Sequence, residues 1–519
     1  MGELPRVCCP CALSQFDEAR PAEFLAGEAY PRFPSIMALS RRDAIVVLVT
    51  ILALVSAVST IPAQLVSAQV GTARPDILFV QAPVIRAGWL PERFPKGSRI
   101  VRLAKQSTSP VNLTPVFFAA ADPQVSFDGS RVLFAAKQEP QARWQIWEMN
   151  TDGSGKRQLT HCPGDCLRPA YLPRDEIVFT VSVAGASQVN SQLYVSKRDG
   201  SAPHPITFGP GDYQLETVLR NGLILASARS PLQPRNDTES SRELYTLRPD
   251  GSGLASLRCD HHRTAIRSEA EELDDGSVIF VKSRNPGPEV GGELAAFRRG
   301  ALHNSLVSPL RVLAWSPRQL TADTLIVARK AVGPNEEGRR LDLYAFDTAR
   351  GRFEGLIYRD PKLSSVAAVP VAAHPAPRWY WSTLNPALQV GYFICLDCTL
   401  AADAPNGRLP VSPSKVRLLA LDPATVQESS LGEAPVEKDG SFYIAVPPDR
   451  PLRFELLDAG GRVLRAQRSW IWTRSGEEHG CVGCHEDRAV APENRWPLTL
   501  RRFDTPTRLG VEERPQPAH

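Results

Sequence analysis

Near the C-terminus two cysteines, spaced by two residues, are followed at once by a histidine: Cys481-Val482-Gly483-Cys484-His485. That spacing is the attachment pattern of a c-type haem. The Cys481 and Cys484 thiols can each form a thioether with one of the two vinyl groups of a single porphyrin. The adjacent His485 imidazole is then held beneath the iron as its proximal ligand. A zinc-binding or redox Cys-x-x-Cys with an incidental histidine is the competing reading. A second pair, Cys395-Leu396-Asp397-Cys398, is followed by Thr399 and lacks the axial ligand. A disulfide, a metal site or a redox role is open to it. Cys162 and Cys166, with His161 beside them, pose the same choice between disulfide and metal. Within 76–359 no Ser/His/Asp set and no paired carboxylates stand at meaningful spacing, and the catalytic residues are unknown.

The elements that must position these residues are strands. The 46 prolines and 35 glycines punctuate short strands better than long helices. From 76 to 359 one unit recurs: an apolar strand, an Asp-Gly turn and a second strand. IWEMNTDGSGKRQLT, LYVSKRDGSAPHPIT and LYTLRPDGSGLASLR are its clearest copies, and RVLFAAK, EIVFTVS, LILASAR, SVIFVKS and TLIVARK are the strands that precede each turn. Asp-Gly supplies the backbone angles of a tight hairpin. The period of roughly 40 to 48 residues is that of a propeller blade, and the strand groups form six blades. The sequence therefore predicts an all-β chain: a six-bladed β-propeller over 76–359, a linker over 360–378, and a small β-sandwich-like domain over 379–492 that carries the Cys-x-x-Cys-His. A tail follows over 493–519. Within the second domain, EKDGSFYIAVPPDRPLRFELLDAGGRVL reads as consecutive antiparallel strands. Trp470 and Trp472 alternate with polar residues, which suits either packing on a porphyrin or a sandwich core.

The N-terminus supplies the compartment. Arg41 and Arg42 precede the apolar run Ala44 to Ile61, and Val66-Ser67-Ala68 offers the small residues of a cleavage site. This is a secretory signal over 37–68 with translation starting at Met37, residues 1–36 being a mis-called leader that includes Cys8, Cys9 and Cys11. An uncleaved membrane anchor is the alternative. Either places the rest in the periplasm or outside the cell, where bacterial c-type haem is attached. The charge is nearly balanced, with 60 basic and 56 acidic residues, and gives no footprint for nucleic acid.

The DGSG-x-x-x-LT unit resembles the TolB-type propeller repeat, and the second domain resembles carboxypeptidase regulatory-like and transthyretin-like modules. GYFICLDC, together with Ser469, Trp470, Gly476, Glu477, Cys481, Gly483, Cys484, His485, Glu486 and Arg488, resembles the hydrazine synthase alpha subunit family. The resemblance spans about 76 to 492 and implies an exported haem protein. In the synthase, the alpha-subunit haem site takes part in condensing hydroxylamine with ammonium, together with other subunits and a second haem in a further C-terminal domain. This sequence departs from that pattern. No cysteine follows Cys484 and no tyrosine follows His485, where the synthase has an iron-ligating tyrosine; Ala489 stands in that neighbourhood, and His479 replaces an expected arginine. A relative without the second haem domain is expected.

The function expected is an exported mono-haem c-type cytochrome-like protein, with one covalent haem c and a periplasmic redox partner docked through the propeller. Two alternatives stay open: a redox enzyme of nitrogen-oxide or other small-molecule chemistry, and a propeller binding module with an auxiliary haem. No methionine follows Met149, so His479, His374, a propeller histidine, water or nothing faces the iron's distal side.

Overall fold

The computed structural model describes residues 74–511 apart from 87–89, 185–188, 230–241, 258–264, 284–290, 299–304, 309–311, 331–339, 402–403, 423–424, 426, 468 and 485–492. The leader, the signal segment, Cys8, Cys9, Cys11, Cys259, His485 and Ala489 lie outside the described residues. The described regular elements are strands and short 3-10 turns.

Six four-stranded blades form the propeller. The strands that precede each turn lie mid-blade, as Arg131–Lys137, Glu176–Ala184, Ile224–Arg229, Val278–Ser283 and Thr324–Lys330. The Asp-Gly turns close as hairpins. In the second blade Gly153 takes a φ of 88° and Asn150 N–H donates to the Ser154 carbonyl at 2.9 Å. One boundary differs from the sequence reading. The stretch 360–378 is not all linker, because Ser364–Pro370 is the innermost strand of the first blade. It pairs antiparallel with Ile77–Ala82, placing Ile77 opposite Pro370 and Ala82 opposite Ser364. Its small apolar residues are mostly buried, and the pairing joins the two ends of the ring.

The innermost strands share a further device. Each has a register break at one equivalent position, and five of the six residues there are non-glycine with positive φ: Asp122 (54°), Arg168 (50°), Glu269 (53°), Ser316 (44°) and Ala367 (51°), with Glu216 completing the set. A bulge bends the strand and re-aims the side chain, here toward the ring axis.

The second domain is a sandwich of two four-stranded sheets. One orders Glu478–Cys481, Gly391–Cys395, Phe442–Val446 and Thr507–Arg508; the other orders Gln427–Pro435, Lys415–Asp422, Leu452–Leu457 and Val463–Ala466. Two expectations are corrected. Phe442–Val446 and Leu452–Leu457 do not pair, because the Pro-rich turn between them hands the chain to the opposite sheet, with Asp449 at a φ of 58°. The domain also runs past 492. Ile444 lies beside Thr507, and Leu509 is buried in the core with Phe393, Val416, Ile444 and Leu456.

Candidate functional site

The edge strand Glu478–Cys481 ends in the Cys481-Cys484 turn, and its inner neighbour Gly391–Cys395 ends in the Cys395-Cys398 turn. The two strands are parallel, so both turns emerge at the same end of the sheet. They stay bonded to each other beyond the strands: Leu396 N–H donates to the Cys481 carbonyl (2.9 Å), Asp397 N–H to the Val482 carbonyl (3.0 Å) and Cys484 N–H to the Leu400 carbonyl (3.2 Å). Gly483 is required by this approach, since a Cβ there would lie 2.7 Å from Leu400 Cβ. The inner turn is held from behind. The buried Asp397 carboxylate accepts from Thr399 N–H (3.0 Å), Arg408 (2.8 Å) and Arg495 (3.2 Å).

Cys395 and Cys398 are buried in the sandwich core, while Cys481 and Cys484 are half-buried at its edge. Two half-exposed thiols on one turn of an edge strand form a donor set that fits a porphyrin approaching from solvent. His485 lies outside the described residues. Burial, then the neighbouring Cys481, Cys398 and Cys484, pushes the Cys395 thiol well above its ordinary range. Cys398 is raised by burial and by Cys484.

The segment leading to the site docks the sandwich on the propeller. Trp472 is inserted between the third and fourth blades, edge-to-face with Tyr213 (5.6 Å between centroids) and Phe208 (6.0 Å), and its indole N–H donates to the Gly251 carbonyl at 3.0 Å. Glu477 accepts from Gly253 N–H (2.8 Å) through Oε1 and from Arg474 N–H (2.8 Å) through Oε2. Arg474 lies over Phe208. The fourth-blade Asp-Gly-Ser-Gly turn is thus a receptor for this segment. Trp470 is also buried, but under Arg453 of the sandwich. The two tryptophans therefore share no partner, and Trp472 faces neither a porphyrin nor the sandwich core.

The described histidines are engaged elsewhere. His479 Nδ1 lies 3.4 Å from Glu477 Oε1 and its ring packs edge-on against Phe393. His374 packs on Phe127 of the propeller, His161 faces Gln158 (3.1 Å) and His204 is exposed at its own turn. Cys162 and Cys166 do come together, their thiols sharing a hydrogen bond, without His161. That bond lowers the Cys162 thiol, and with burial it raises Cys166. In the reduced chain the half-buried Cys162 is expected to be alkylated faster than the buried Cys166 near neutral pH, since the thiolate is the reactive form. Equal labelling by peptide mass spectrometry contradicts the assignment.

The propeller axis gathers charges that the sequence reading missed. Arg168 bonds Glu216 Oε2 (2.9 Å) and Glu269 Oε1 (3.1 Å), Arg93 reaches the same Glu269 oxygen (2.9 Å), and Arg318 pairs with Glu271. Asp122, Arg168, Glu216, Glu269 and Arg318 line a cavity of about 50 Å³, partly open to solvent. Burial raises Asp122 despite Arg168 and Arg93. Burial also acts on Glu269, but there the two arginines prevail and hold it below the usual range. These pairs tie five blades across the axis, and no local sequence pattern announces them.

The geometry defines a class: a six-bladed propeller that clasps a β-sandwich whose edge strand ends in a Cys-x-x-Cys turn. Residues 412–486 match the hydrazine synthase alpha subunit middle domain. Hydrazine synthase subunit alpha of Kuenenia stuttgartiensis is 25% identical over 541 aligned residues, covering 79% of this chain and 66% of that one. The solved hydrazine synthase of Kuenenia stuttgartiensis superposes with a TM-score of 0.71 at 22% identity, covering 82% of this chain and 71% of that one. TolB from Acinetobacter baumannii gives a TM-score of 0.42 at 15% identity, covering 61% and 69%. Over residues 412–486 the chain resembles the hydrazine synthase alpha subunit, and it spans about two thirds of the length of that curated relative.

Proposed function

We propose that this is an exported redox protein that holds one covalent haem c through Cys481 and Cys484, with His485 as proximal ligand, and that it acts on a small molecule at the iron's distal face. The observation that carries the reading is the edge-strand turn. It offers two half-exposed thiols at haem spacing within the segment that matches the synthase middle domain. When bound, the haem supplies the electron-transfer and ligand-binding chemistry. The chain's own residues set its surroundings. Asp397, Arg408 and Arg495 fix the inner turn, Gly483 lets the outer turn lie against it, and Trp472 and Glu477 anchor the whole on the propeller.

Small-molecule chemistry is favoured over a bis-histidine electron relay by where the described histidines go. His479 is taken by Glu477 and Phe393, and His374 by the propeller. An iron with an open distal position binds exogenous ligand. The test is the reduced optical spectrum of the haem-loaded chain before and after carbon monoxide. A shifted Soret band is expected; a spectrum that carbon monoxide leaves unchanged favours electron transfer and contradicts the open face. Hydrazine synthesis itself is not proposed, since Ala489 stands near where the synthase has its tyrosine.

A further inference from the structure

Four cysteines that lie far apart in sequence meet at one end of one sheet. Tyr392 lies beside Glu478, Phe393 beside His479, Ile394 beside Gly480 and Cys395 beside Cys481, in an unbroken parallel register. In-register neighbours on adjacent strands project to the same face, with backbones about 4.8 Å apart. That separation falls within the roughly 4.4–6.8 Å between Cα atoms that a disulfide spans. Both side chains pack on the same apolar core, Cys395 buried within it and Cys481 against it. The carbonyl of Cys481 is tied to Leu396 N–H, which fixes the two backbones at this level. Among the described residues no three His, Cys, Asp or Glu side chains stand in an arrangement that holds a metal.

We propose that Cys395 and Cys481 form a reversible disulfide that withdraws one of the two haem-attachment thiols. The bond itself follows from the strand register; only its consequence for haem rests on the function proposed above. The oxidant is a small disulfide such as oxidised glutathione. One Sγ attacks it and releases one glutathione thiol. The second Sγ then displaces the other glutathione, so two protons and two electrons leave the protein as the Cys395–Cys481 bond forms. A dithiol reductant reverses the exchange. The inner Cys-x-x-Cys is thereby a redox guard: the outer turn accepts a porphyrin only while this bond is open, and a chain already carrying haem has no Cys481 thiol to give.

The full exported chain, made without the haem-maturation system, is treated with oxidised glutathione, alkylated, digested and analysed by mass spectrometry. A linked peptide pair containing Cys395 and Cys481 is expected. Cys395→Ser should lose it, and Cys398→Ser, a variant of comparable burial, should keep it. Co-expressed with the maturation system under oxidising conditions, Cys395→Ser should load several-fold more haem than the parent, and a dithiol reductant should remove the difference. Links confined to Cys395–Cys398 and Cys481–Cys484, or zinc that protects the four thiols from alkylation until a chelator is added, overturn the proposal. A Cys395–Cys481 link in a chain that takes no haem, even when reduced, upholds the disulfide and overturns the haem reading instead.

Discussion

Trp472→Ala is expected to destabilise the protein by about 3–5 kcal/mol, the usual cost of emptying a large aromatic site. The indole is 1% exposed and fills the seam between the third and fourth blades. Its removal deletes edge-to-face contacts with Tyr213 and Phe208. It also leaves the Gly251 carbonyl without the indole N–H, a further cost of about 1–3 kcal/mol if no water enters. Trp472→Phe keeps most of the ring but not the donor, and should cost less than half as much. Urea denaturation followed by far-ultraviolet circular dichroism measures both. Because Trp472 joins sandwich to propeller, the alanine variant should also split a single transition into two. A loss below about 1 kcal/mol with one unbroken transition contradicts the docking role.

The second large effect is chemical. Cys484→Ala should abolish double thioether attachment, and the pair Cys481→Ala, Cys484→Ala should leave no covalent haem at all. The fold should survive both changes, since neither thiol is in the fully buried core and the strand ladder from Tyr392–Glu478 to Cys395–Cys481 is made by backbone. The circular dichroism spectrum should therefore match the parent while haem is lost. A variant that unfolds instead shows that the thiols are structural.

Much of this was legible in the sequence, and the limits have physical causes. The mid-blade strands and Asp-Gly turns were readable because their information is local: alternation of apolar residues and a turn that demands positive φ. The strand Ser364–Pro370 was hidden by prolines and alanines that resemble a linker. Its partner, Ile77–Ala82, lies nearly three hundred residues earlier, so no local pattern announces the pairing. Trp472 could be placed on a face by alternation but not given a partner, because that partner is the carbonyl of a turn on another domain. The axial carboxylates fail for a related reason. Asp122 and Glu216 are each the one acid of their strand, Glu269 shares its strand with Glu271 and Glu272, and only ring closure makes them neighbours of Arg168 and Arg93.

The candidate site divides the same way. The Cys481-Cys484-His485 spacing is a local signal and gives the cofactor class. That Cys395 and Cys398 stand beside it depends on parallel pairing of two strands whose connection contains most of the sandwich, which spacing cannot reveal. The same pairing converts a second, unexplained Cys-x-x-Cys into a neighbour with chemistry of its own.

Covalent haem is the centre of the account, and one measurement reaches it directly. The chain is expressed for export together with a c-type haem-maturation system, and the purified protein is denatured and its intact mass determined. One haem added to the chain, surviving denaturation and absent from the Cys481→Ala, Cys484→Ala variant, is the result predicted. An unmodified mass from a folded, exported chain in which Cys481 and Cys484 are reduced contradicts it.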